Sequence, residues 1–153
     1  MATTANRQPI YSHEGVVSFA VGSIGSQAGG TVDIAAVTAN AIYDLGFTAD
    51  ATNGGYVQTV TIRPGAVGIS SGNTVATVMR IWINNGSATT TTGNNALIGE
   101  VAIPAITAST TAANPGHEFP IFRAFPPGYK LYATFTVAQT AAWFDVTVWA
   151  GKY

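Results

Sequence analysis

The chain contains no cysteine, which removes disulfides, thiolate nucleophiles and cysteine metal ligands together. Charge is nearly as scarce: Asp, Glu, Lys and Arg make up 8% of the 153 residues, against about 25% in ordinary soluble domains. Hydroxyls, amides and small side chains, threonine first among them, must therefore keep the surface wet. Six Lys and Arg stand against seven Asp and Glu, a net charge of −1, so there is no basic field to draw a phosphate backbone and nucleic acid is not an expected partner. No segment approaches the ~18 continuous apolar residues of a membrane span, and the opening MATTANRQPIYSHEG has no cationic stretch leading into an apolar run, so neither a span nor a secretory signal is expected. Low net charge favours association. The chain reads more readily as part of an assembly than as a free monomer.

What the sequence does contain is strands. Short runs rich in Val, Ile, Thr and aromatics recur between Gly, Pro and Asn clusters, which is the all-β pattern. Nine candidates stand out: 16–21, 31–37, 41–48, 56–63, 74–83, 96–103, 117–123, 129–137 and 143–150. Turn chemistry sits between them, at NGG (53–55), RPG (63–65), SSGN (70–73), NPG (114–116) and PPG (126–128), each supplying residues with fixed or positive φ. The expected fold class is all-β: a single-domain, two-sheet antiparallel β-sandwich, jelly-roll-like, of eight or nine strands. Residues 1–15 carry little strand signal and read as an extended N-terminal arm, with the sandwich over 16–153. No fixed-period repeat is present, which argues against a solenoid.

The last two strands set a physical problem. Alternation in YKLYATFTV sends Tyr129, Leu131, Ala133, Phe135 and Val137 to the core and Lys130, Tyr132, Thr134 and Thr136 outward. In WFDVTVWA it sends Phe144, Val146 and Val148 inward and leaves Trp143, Asp145, Thr147 and Trp149 on the opposite face. Covering one indole removes roughly 150–250 Å² from water, an upper bound of about 4–6 kcal/mol. Two outward tryptophans therefore call for a cover, either a loop or arm of the same chain or a neighbouring subunit.

Sites for catalysis do not emerge. Gly68-Ile69-Ser70-Ser71-Gly72 fits G-x-S-x-G, with Glu100 and His117 downstream, but a nucleophile elbow needs a strand before it and a helix after it, and a strand-like run follows here. His13 and His117 each adjoin a glutamate, too little for a three-ligand zinc site. No phosphate-cradling loop, dinucleotide fingerprint or calcium loop is present. Asn85-Gly86-Ser87 reads as a turn, not a glycan acceptor. No cofactor, metal or enzymatic activity is expected. The remaining constellation is aromatic, Trp82, Trp143, Trp149, Tyr132 and Tyr153 on a β framework, and stacked aromatics beside Asn and Asp are one way a sandwich holds sugars.

The succession IWINNGSATTTTGNNALIGEVAIPAITAS, then HEFPIFRAFPPGYKLYATFTV, then a terminal WFDVTVWAGKY resembles a group of small virion proteins of tailed bacteriophages. The shared pattern is a strand ending in Asn and Gly, a polar loop, NN-A-L opening the next strand, a Pro-Ala exit, a Pro-Gly-Tyr turn and a last strand closing in Gly-x-Tyr. It covers about residues 75–153. Phe125-Pro126-Pro127-Gly128 stands where Leu-Pro-Ala-Gly is more usual, which keeps the turn but changes what packs before it. The resemblance implies a capsid decoration or cement protein on the virion exterior, made in the host cytoplasm, partnered by the major capsid protein and by itself as a homo-oligomer, with a trimer favoured. It carries over no catalytic residue. The expected contact surface combines Arg7 and Tyr11 of the arm with Trp82, Tyr132, Trp143, Trp149 and Tyr153. The alternative is a carbohydrate- or receptor-binding β module of a phage tail or fibre.

Overall fold

The computed structural model describes residues 14–20, 24–64, 73–107, 109 and 111–153. Its strands are β1 (Glu14–Ala20), β2 (Tyr43–Thr48), β3 (Gly55–Pro64), β4 (Asn73–Thr74), β5 (Thr77–Asn84), β6 (Asn95–Ile103), β7 (Ile106–Thr107), β8 (His117–Phe125), β9 (Lys130–Phe135) and β10 (Phe144–Lys152). The first sheet has the order β1-β10-β3-β8, the second β2-β9-β5-β6, and β4 with β7 forms a short ribbon. Every paired neighbour is antiparallel. Apart from that ribbon, partners nest: the first strand pairs with the last (β1·β10), the second with the next to last (β2·β9), then β3·β8 and finally β5·β6. Such nesting is one long antiparallel ribbon rolled over a core, the jelly roll that the strand spacing predicts.

Alternation decides which side chains the roll encloses. In β10, Phe144, Val146 and Val148 are fully buried while Trp149 is 44% exposed. Leu131, Ala133 and Phe135 of β9 face them from the other sheet, also fully buried. Across the gap the rings of Phe135 and Phe144 stack, with centroids 5.2 Å apart and planes inclined by 6°. Tyr43 meets Phe135 edge-on at 5.7 Å, and Phe47 meets Phe125 at 5.8 Å, so aromatic contacts tie the two sheets together.

The expected strand over 31–37 is not one. Asp33 caps a short 3-10 turn, Ile34–Ala36, by accepting from the Ala35 N–H at 3.0 Å. A side chain that offers the backbone this local bond competes with a sheet ladder, and Val and Ile content alone does not reveal it. The segment instead lies over the outer face of the second sheet. Gly29 N–H donates to the Phe135 carbonyl at 2.7 Å. Arg80 donates from Nη1 to the carbonyls of Gly30 and Thr31 at 3.1 and 2.8 Å, and from Nε to Glu100 at 2.7 Å. Thr92 Oγ1 donates to Asp33 at 3.0 Å. Thr134, expected outward, is consequently fully buried.

Val137 departs the other way. Expected in the core, it is 41% exposed, because β9 ends at Phe135 and the next backbone groups bond to threonine hydroxyls: Val137 N–H donates to Thr77 Oγ1 at 3.0 Å and Val78 N–H to Thr136 Oγ1 at 2.9 Å. The neighbouring Gln139 is buried and acts as a short length of ladder, its Oε1 accepting from Val75 N–H at 2.7 Å and its Nε2 donating to Val75 O at 3.0 Å. Gln139→Leu keeps the volume and strips both bonds. It is expected to cost about 1–2 kcal/mol, read as a lower urea midpoint with unchanged slope.

Strand β1 begins two residues before the expected boundary of the sandwich, with Glu14 already opposite Lys152. The arm residues Arg7 and Tyr11, together with His13 and the 68–72 motif, lie outside the described residues.

Candidate functional site

The outer face of the first sheet is built by four strands whose register is fixed. Trp149 on β10 lies opposite Val17 on β1 and Thr59 on β3; Thr147 lies opposite Thr61, and Asp145 opposite Arg63. On the far side of β3, Thr59 faces Pro120 and Thr61 faces Glu118 of β8. Because Phe144, Val146 and Val148 point inward, their neighbours must point out. The register slips where Trp149 and Ala150 face Thr59 and Val57, leaving Gln58 as the extra residue of a bulge. Bulges re-aim side chains, and this one brings Gln58 to the rim beside Trp149.

The indole of Trp149 is held. Its Nε1 donates to Thr61 Oγ1 at 3.3 Å, a diagonal reach from its own register partner Thr59, so the ring leans across β3 and leaves part of its surface to solvent. Thr59 Oγ1 in turn donates to the Phe119 carbonyl at 3.1 Å. Together these residues enclose a shallow cleft of about 460 Å³ whose walls are hydroxyls, one amide, the Arg63 guanidinium and the Asp145 and Glu118 carboxylates, with Trp149 at one end.

A second cleft, about 480 Å³, opens where the edges of the two sheets, β6 and β8, come together, and Ile83, Ile98, Phe119, Ile121 and Phe125 line it with Arg123 at the rim. Phe119 reaches across this side: a Cβ on Gly99 would lie 2.0 Å from its ring, so glycine at 99 is what lets β6 approach. Leu97 on β6 is 39% exposed and Phe122 on β8 59%. Phe122 also has a φ of 47°, an uncommon conformation for a bulky residue, where β8 bulges against β3.

The aromatics singled out in the sequence do not gather. Trp82 is a packed residue and not a contact surface: it is 3% exposed, and its Nε1 donates to the buried Thr134 hydroxyl at 3.1 Å. It lies on the face of the second sheet that residues 29–31 cross, bonded to Phe135 and Arg80. Tyr132, opposite Trp82, is half-buried on the same outer face of the second sheet, and burial, then the nearby Asp44 charge, push its phenol above the ordinary value of 10.0. Trp143 is half-buried just before β10, its indole nitrogen buried and unpartnered among the described residues. Tyr153 is half-buried near Gly54, whose carbonyl its N–H meets at 3.4 Å. Trp149 alone of the five is exposed.

For catalysis, Glu100 is engaged by Arg80, and the His117 Nε2 is buried without a partner among the described residues. Among those residues no three His, Cys, Asp or Glu side chains are grouped to hold a metal, and no helix is long and apolar enough to cross a membrane. Asp145 and Thr147 were placed on the face of Trp149 by alternation; what the sequence did not single out is the part of its polar surround that β3 and β8 supply. Its clue is the alternation Thr59, Thr61, Arg63 within YVQTVTIR. Gln58 joins that face through the bulge, which alternation does not encode. Compared with family models, curated proteins and solved structures, the chain has no significant match.

Proposed function

We propose that the protein is a structural, non-enzymatic virion component, a decoration or cement protein that binds the outside of a bacteriophage capsid as a homo-oligomer, with a trimer favoured. Two sequence properties support this reading: the resemblance over residues 75–153, and a charge content of 8% that suits contacts made without ion pairs. The structural observation that carries it is the unguarded edge strand β6. Strand β6 is nine residues long, holds neither proline nor lysine and ends its sheet, whereas β8, at the end of the other sheet, carries Pro120 and a bulge. Free proteins blunt such edges with lysine, proline or very short strands, because open N–H and C=O groups template pairing with another chain. Across NALIGEVAI the single charge is Glu100, and Arg80 already occupies it. Leu97 on β6 and Phe122 on β8 are exposed and the apolar cleft lies between these two edge strands, apolar surface that a neighbour would cover.

The test is co-sedimentation of the purified chain with tailed-phage shells that carry or lack their decoration, alongside light scattering of the chain alone. The expected result is pelleting with bare shells and a solution mass about three times the 15.7 kDa of one chain. Leu97→Glu combined with Phe122→Asp is expected to weaken shell binding about tenfold or more and to lower the solution mass, since buried unpaired charges oppose association. A monomer that pellets with neither shell overturns the reading.

A further inference from the structure

We propose that the outer face of the first sheet is a saccharide-binding site, with the exposed face of Trp149 as its platform and a neutral pyranose chain as its ligand. The site does not depend on the capsid reading, since it uses a different face of the molecule.

The argument starts from the two-sidedness of a sugar ring. One face of a pyranose presents C–H groups and stacks on an aromatic surface; its rim presents hydroxyls that each need a donor or acceptor. Trp149 supplies the first requirement. It is 44% exposed and its orientation is set by the bond to Thr61, so little side-chain freedom remains to be lost on binding. The second requirement is met within the same cleft by Gln58, Thr147, Arg63, Asp145 and Glu118, which between them offer amide, hydroxyl, guanidinium and carboxylate. The cleft volume of about 460 Å³ falls within the ~300–1,000 Å³ of small-molecule sites. The cleft is shallow and its floor is the outer face of the sheet, which fits a stretch of a chain better than an enclosed small molecule.

Charge narrows the ligand. One guanidinium sits between two carboxylates, Arg63 opposite Asp145 in register and Glu118 one strand over. Among the described residues of the cleft the carboxylates outnumber the guanidinium, which disfavours sialic acids, uronic acids, sugar phosphates and nucleic acid. A protein partner fits less well, because hydroxyls and charges surround the indole where a protein-binding core would be apolar.

The experiment uses the intact protein with its tryptophan indole N–H groups observed by NMR. The probes are neutral tetrasaccharides built from glucose, mannose and galactose, and one sialylated oligosaccharide, each raised to about 20 mM, enough to populate a complex with Kd near 1 mM. At least one neutral probe is expected to move the Trp149 signal and leave that of the enclosed Trp82 in place. Trp149→Ala should weaken binding about tenfold or more, the loss of one aromatic stacking contact with its buried area, while Trp149→Tyr retains part of it and Gln58→Ala loses a few-fold. Thermal melting of each variant checks that the fold is intact. The proposal is overturned if no neutral probe moves the Trp149 signal, if binding survives Trp149→Ala, or if the sialylated probe binds most tightly.

Discussion

Phe135→Ala is expected to remove about 3–5 kcal/mol of stability, the cost of deleting a large, fully enclosed ring from a core that collapses only in part. Phe135 is 0% exposed, lies flat against Phe144 of the opposite sheet at 5.2 Å and takes the edge of Tyr43 at 5.7 Å. One truncation therefore breaks contacts to both layers of the roll. Against a total stability of about 5–15 kcal/mol, the loss corresponds to a fall in melting temperature of roughly 6–20 °C at this chain length. Urea unfolding should show a lower midpoint with the slope preserved. Phe135→Leu, which leaves a smaller void, should fall between the wild type and alanine. A loss under about 1 kcal/mol for alanine would mean that the two sheets do not meet at this stack.

Gly54→Ala should be nearly as costly, for a different reason. Gly54 has a φ of 84°, and a Cβ there would lie 2.4 Å from the carbonyl oxygen of Phe125. The obstacle is backbone, so no rotamer change relieves it. Strain in the left-handed region and forced displacement each cost about 1–3 kcal/mol, which gives an expected loss of about 2–4 kcal/mol. The damage should be local to the turn that Gly54 closes with Asp50 through bonds in both directions, at 3.0 and 3.1 Å. In that turn the Asp50 carboxylate accepts from the N–H groups of Asn53, the larger influence, and Thr52, which hold its pKa below 3.8. A depressed carboxylate stabilises the fold fully above its unfolded value and loses that contribution as the pH falls through the folded one. NMR titration of Asp50 in Gly54→Ala should thus find its pKa risen toward 3.8. An unchanged titration would show the turn intact and place the damage elsewhere.

Much of the fold was legible because its signals are local. Period-two alternation located eight of the nine expected strands, and for β10 it assigned each face correctly from Phe144 to Trp149. It failed where a side chain outside the pattern decided the outcome: Asp33 turned an apolar run into a 3-10 turn, and that crossing segment then buried Thr134, which alternation had placed in solvent. Trp82 illustrates the same limit. Its outward position in β5 is what alternation predicts, yet its environment is set by residues about fifty positions away in the chain. The candidate site was legible only in part. Trp149 stood out as an outward indole with Asp145 and Thr147 on its face, but the rest of its surround comes from β3 and β8, and the residue that completes it, Gln58, faces outward because of a one-residue slip in pairing.

The nested pairing also imposes a timetable on synthesis. The innermost pair, β5·β6, is separated by the short loop 85–94 and closes at little entropic cost, whereas β1 must wait for β10, across residues 21–143. Until the final strand leaves the ribosome, β1 has no partner on either flank and β3 lacks one of its two. The first sheet is therefore completed only once β10 has been made, and nascent chains rely on whatever keeps unpaired strands apart in the meantime.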